Sequence, residues 1–232
     1  MSDLAYLLQK DINRLSHMER GDAYDIKAFE FPKMSELRYA YQIRPLDLPQ
    51  KTFFYEYSKD EYINNLDSLH APETNCIFSQ RMIETLLSVK DFKHRKYPIK
   101  ILRDIAIKFL KNPDGYKIPN PYEELDFFEK KSIRNDMFIL QTIELLDVFD
   151  WEKSIYKQSE LSKEVGTAGH VSEYVLKEPK GGLPPLFHIS ASPTLLFISR
   201  EAREALKIAK IKGLAFGSLK NSWRSEVDVP IP

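Results

Sequence analysis

Residues 195–217 read LLFISREAREALKIAKIKGLAFG, and this run restricts the fold more than any other part of the chain. An apolar stretch stops at Ser199, helical spacing of apolar residues follows to Lys210, and Gly213 precedes Leu214, Ala215 and Phe216. The pattern predicts a strand, a helix whose first turn is capped by the Ser199 hydroxyl, and a second strand. Gly213 is the residue expected to take the left-handed turn that ends the helix. A looser copy, NCIFSQRMIETLLSVK, lies at residues 75–90. Setting Ser79 on Ser199 brings Phe78 onto Ile198, Glu84 onto Glu204 and Leu86 onto Leu206. The two serines then read as helix caps in paired units of one scaffold.

The rest of the chain is less regular. Leu4, Leu7, Leu8, Ile12 and Leu15 recur at three- and four-residue spacing, which predicts a leading helix capped by Ser2 or Asp3 and packed on the body. Leu37, Tyr39, Tyr41 and Ile43 alternate with Arg38, Ala40, Gln42 and Arg44, as in a half-buried strand. Residues 53–57 predict another short strand, and residues 58–69 a brief helix with Tyr62, Ile63 and Leu66 inward. Further strands are expected over residues 99–107, 171–176 and 186–189. The most apolar segment, residues 137–148, reads as a buried strand and runs into a turn in which Asp150 caps Lys153 and Ser154. Strand–helix units flanked by long extended segments imply an α+β fold with a mixed or antiparallel sheet, not a doubly wound parallel one. The expected organisation is a helix over residues 1–20 and one domain over 21–232, with a division into two lobes near 111–135.

Composition narrows the class. The chain has 232 residues, 34 of them basic and 34 acidic, so its formal charge is zero. Proteins that hold phosphate backbones are usually basic, and nucleic acid is therefore not an expected partner. The most basic window, residues 90–100, reads as a solvated link. A single cysteine, Cys76, leaves no internal disulfide and fits a reducing compartment. No stretch of about 18 apolar residues and no signal-peptide pattern is found, so a cytoplasmic protein without a membrane segment is expected.

Few residues point to chemistry. The histidines at positions 17, 70, 94, 170 and 188 are scattered, and none has a Cys or carboxylate at metal-ligand spacing. The glycines at 166, 169, 181 and 182 lack the Lys and Ser/Thr of a phosphate loop. Glycine does not flank Ser79 or Ser199 as a nucleophile elbow requires. No catalytic residue, metal or cofactor is expected. Residues 122–129 are acidic and aromatic, and Tyr122, Glu123, Glu124, Asp126 and Phe127 form a candidate surface for covering a basic cleft on a partner.

From Phe138 onward the sequence resembles bacterial polymorphic-toxin immunity proteins, the myxobacterial-type family related to the immunity families numbered eleven and forty-three. The resemblance rests on FILQTIELLDVFDWEKSIYK with Asp150, Lys153 and Ser154, on Phe187, and on the last unit with Ser199, Gly213 and Phe216. The unit at residues 75–90 matches more loosely. The resemblance implies a cytoplasmic protein, monomer or homodimer and not an enzyme, that binds a cognate secreted toxin domain and blocks it. Such toxins travel by contact-dependent or type VI routes between competing bacteria. The alternative is a small enzyme acting on a nucleotide or protein, with His170 or His188, Asp150, and Ser190 or Ser192 in one cleft.

Overall fold

The computed structural model describes residues 4–10, 26–28, 44–48, 52–56, 64–71, 74, 76–102 and 132–220. Three groups of strands appear. A six-stranded sheet has the order β2 (Ile26–Ala28), β3 (Thr52–Glu56), β6 (His94–Leu102), β7 (Ser132–Thr142), β5 (Ile77–Ser79) and β4 (Ser68–Leu69). A five-stranded sheet has the order β13 (Leu214–Gly217), β1 (Ala5–Lys10), β12 (Ser192–Ser199), β11 (Leu186–Ile189) and β8 (Leu145–Leu146). β9 (Ile155–Lys157) and β10 (His170–Glu173) form a separate antiparallel pair. Among the described residues the helices are α1 (Gln80–Val89), α2 (Glu160–Glu164) and α3 (Arg200–Ile208). Parallel pairs β3/β6 and β8/β11 stand among antiparallel ones, so the fold is α+β with mixed sheets.

Two stretches of the sheets match strand for strand. In the first, β4, β5, β7 and β6 lie side by side; in the second, β11, β12, β1 and β13 do, and every pairing in both is antiparallel. The registers agree as well. Ser79 faces Met137 and Phe78 faces Phe138, while Ser199 faces Ala5 and Tyr6 faces Ile198. On the outer side Ser68 faces Phe78 as Leu186 faces Ile198. The role of β7, which follows β6 in the chain, is thus taken in the second unit by β1, which precedes everything else described.

α1 and α3 pack against each other, and one buried cluster joins them to both sheets. It holds Phe78, Met82, Ile83, Leu86 and Leu140 from the first unit with Leu8, Ile198, Ala202, Leu206 and Phe216 from the second. Each sheet also buries its other face: the six-stranded one over Phe54, Leu69, Ile77, Ile99 and Met137, the five-stranded one over Ala5, Leu7, Phe149, Phe187 and Phe197.

This two-sided burial explains the main correction. Within the stretch expected to be the leading helix, Ala5–Lys10 is a strand, and residues 11–20 lie outside the described residues. Ala5 and Leu7 enter the outer core and Leu8 the inner one, so apolar residues fall on both faces and imitate helical spacing. Three smaller differences have local causes. Ser68–Leu69 is a strand within the stretch expected to be helical, because it pairs with β5. Residues 94–98 are strand and not link, held by pairing with β7. The strand expected at 53–57 runs from Thr52 to Glu56. The strand expected around residues 37–44 lies almost wholly outside the described residues.

Candidate functional site

The Ser79 and Ser199 hydroxyls do the same work. Ser79 Oγ accepts from the Met82 N–H at 3.1 Å and Ser199 Oγ from the Ala202 N–H at 3.2 Å, each satisfying a donor that the first helical turn leaves open. Their own N–H groups donate to Asp67 and Pro185 carbonyls, at equivalent places beside each unit.

Asp67 turns the first cap into a junction between the units. Its Oδ1 accepts from Ser79 Oγ at 2.7 Å and from Arg81 Nε at 3.1 Å, while Oδ2 accepts from Arg81 Nη2 at 2.5 Å and the Lys212 N–H at 3.0 Å. The Asp67 and Ser68 N–H groups both donate to the Lys212 carbonyl. Burial opposes the Asp67 charge, but the bonds from Arg81, Ser79 and Lys212 outweigh it and hold the carboxyl below the usual carboxylate range. Sequence reasoning passed over Asp67 because its partners stand 12, 14 and 145 positions away.

The end of α3 differs from expectation. Lys210, at φ +53°, takes the left-handed position, with Lys210 N–H donating to Lys207 O and Ile211 N–H to Leu206 O. That is a Schellman closure, and Ile211 and Leu206 share the core cluster beneath it. Gly213 has another task. At φ +92°, a Cβ there would lie 2.4 Å from the Ser68 carbonyl oxygen, so only glycine lets the two units meet.

The remaining residues of the resemblance also sit in structural roles. Asp150 Oδ1 accepts from the Glu152 and Lys153 N–H groups at 3.2 and 3.3 Å, and Lys153 Nζ lies 3.5 Å from Oδ2. Desolvation raises the Asp150 pKa, but these N–H groups and the Lys153 ammonium prevail and leave it lowered. Ser154 Oγ accepts from the Val175 N–H and donates to the Val175 carbonyl, tying this turn to the segment that follows β10. Phe187 stacks on Phe197, with ring centroids 5.7 Å apart.

Four of the groups offered for catalysis are each bonded to a different neighbour. His188 Nδ1 lies 2.7 Å from the Leu195 carbonyl, and burial pushes its pKa down to about 4. Ser192 pairs with the Tyr174 hydroxyl, Ser190 donates to Leu146 O, and Asp150 serves its own turn. Cys76 is buried, with a thiol pushed up to about 12. In the basic window Lys90 donates to the Gly181 and Gly182 carbonyls, Lys93 pairs with Glu144, and Lys96 donates to Gln80. These ammonium groups brace the fold. Among the described residues no three His, Cys, Asp or Glu side chains are gathered to hold a metal, and no helix is long and apolar enough to cross a membrane. Tyr122, Glu123, Glu124, Asp126 and Phe127 lie outside the described residues, as does all but the last part of the expected lobe division near 111–135, where residues 132–135 belong to β7.

What the sequence did not single out is the excursion from Ile155 to His170. Three of the large apolar side chains most exposed to solvent belong to it: Ile155 at 58%, Leu161 at 68% and Val165 at 62%. No family model matches the chain, and no curated protein matches it.

Proposed function

We propose that this chain is an immunity protein that binds a cognate secreted antibacterial toxin domain in the cytoplasm and neutralises it by direct contact. One observation carries the reading. The residues on which the family resemblance rests are those that build the scaffold: Ser199 caps α3, Gly213 admits Ser68, Asp150 and Ser154 fix a turn, and Phe187 and Phe216 are core. A family that keeps a frame and varies its contact surface carries its signature in such positions. The enzyme alternative draws no support from the placement of His188, Ser190, Ser192 and Asp150.

The test is co-expression with the toxin domain encoded beside this gene, followed by size-exclusion chromatography of the mixture. Restored growth and a co-eluting complex are expected. Toxicity that persists despite soluble expression of this protein would sink the reading.

A further inference from the structure

Each strand–helix unit is a split β–α–β arrangement. In the second unit α3 joins β12 to β13, and both strands pair antiparallel with β1 rather than with each other. Residues 192–217 therefore form a continuous clip with a gap one strand wide. The first unit has the same gap between β5 and β6 and fills it with β7, the strand that follows β6. β1 has no such tie. Among the described residues it pairs only with β12 and β13, at the other end of the sequence, and β2 belongs to the other sheet.

The clip reads the strand that fills it. The Arg200 N–H, at the start of α3, donates to the Leu4 carbonyl at 3.1 Å. The Arg203 guanidinium lies 4.3 Å from the Tyr6 ring centroid and 5.5 Å from that of Phe216, so one cation of α3 spans both the filling strand and β13. Ala5 and Leu7 enter the outer core and Leu8 the inner one. Gln9 lies across Gly217, where a Cβ would come within 2.8 Å of Gln9 Nε2.

We propose that this clip also accepts β1 from a second copy of the chain, giving a strand-exchanged dimer alongside the monomer. A strand from elsewhere would have to bring a small residue opposite Ser199, a ring beneath Arg203 and an amide across Gly217, a set that β1 already supplies. An identical strand arriving from a neighbour makes the same contacts as the chain's own, so exchange sacrifices none of them. Residues 11–25 can span about 50 Å when extended, a reach suited to a neighbouring clip. The balance between the two forms is then set by concentration and by those joining residues.

The test refolds the full chain at two concentrations about tenfold apart and separates the products by size-exclusion chromatography. The ratio of dimer to monomer should rise about tenfold between them, as mass action requires. The dimer of the unaltered chain, once diluted, should come apart only as fast as the chain unfolds, because β1 is an interior strand of its sheet. Gln9→Cys combined with Ala215→Cys then locates the strand, since these positions face each other across β1 and β13. Oxidising the dimer of this variant should give a covalent dimer on a non-reducing gel, and oxidising its monomer an intrachain bond. Cys76 is buried and does not compete. A chain that stays monomeric at both concentrations would overturn the proposal. So would a dimer that dissociates at once on dilution, or one in which the cysteine pair closes only within each chain. Alkylation of Gln9→Cys that begins only when the toxin domain is added would also overturn it, because a strand of the toxin would then hold the clip.

Discussion

The two strand–helix units share a plan and differ in how they are closed. In the first, β4, β5, α1, β6 and β7 follow one another along the chain; in the second, β11, β12, α3 and β13 do, and β1 supplies the missing strand. The aromatic ring on the closing strand is covered by a cation in both. Lys96 of β6 lies 4.4 Å from the Phe138 ring centroid, and the Arg203 guanidinium of α3 lies 4.3 Å from that of Tyr6. Phe138 and Tyr6 hold matching register positions, yet the cation comes from the neighbouring strand in one unit and from the helix in the other. At the position of Asp67 the second unit has Pro185, which offers only its carbonyl to the serine N–H. The lesson is that backbone geometry repeats while side-chain chemistry is reassigned, and that the polar junction belongs to one unit alone.

The comparison breaks most directly by removing what is special to the second unit. Deleting residues 1–10 strips the strand between β12 and β13 and should abolish cooperative unfolding of the whole chain, read by calorimetry. Adding the same ten residues as a free peptide should restore part of it. Next in size, Gly213→Ala forces a Cβ onto the Ser68 carbonyl and should cost about 3 kcal/mol or more in urea unfolding. A cost under about 1 kcal/mol would mean that the junction yields.

His188 gives a comparable effect through pH. Its folded pKa, about 4, lies below the unfolded value of 6.5, because the buried ring resists protonation. The neutral ring's contribution is complete above pH 6.5 and drains away as pH falls toward 4, by about 3 kcal/mol in total. His188→Gln should flatten that part of the stability profile. The two caps then sharpen the contrast. Ser199→Ala should cost about 1 kcal/mol, and Ser79→Ala about 2, since Ser79 Oγ also donates to the Asp67 carboxylate. Equal costs would show that Asp67 adds nothing. Smallest of all, Lys210→Gly should stabilise by about 0.5 kcal/mol, by relieving a left-handed non-glycine residue.

What could be read from the sequence was local. Ser79, Ser199 and Asp150 reach backbone N–H groups two or three residues ahead, so short-range pattern was enough to place them. The first strand was misread because its apolar positions serve two cores, one on each face, and spacing alone does not separate that from a helix. Gly213 was assigned the wrong cause for the right residue: its partner, Ser68, belongs to the other unit. The outward-facing Leu161 of α2 and Val165 at its C-cap give no periodic signal, because a five-residue helix is too short to have one.

The placement of β1 has a consequence for synthesis. Ala5 leaves the ribosome long before its partner Ser199 and the β13 strand. The first unit carries its own four strands and can close while translation continues. The second cannot, and its closing strand must wait, unpaired and apolar, until β12 and β13 have been made. Slowing translation should therefore lengthen the interval in which this strand is open to wrong partners.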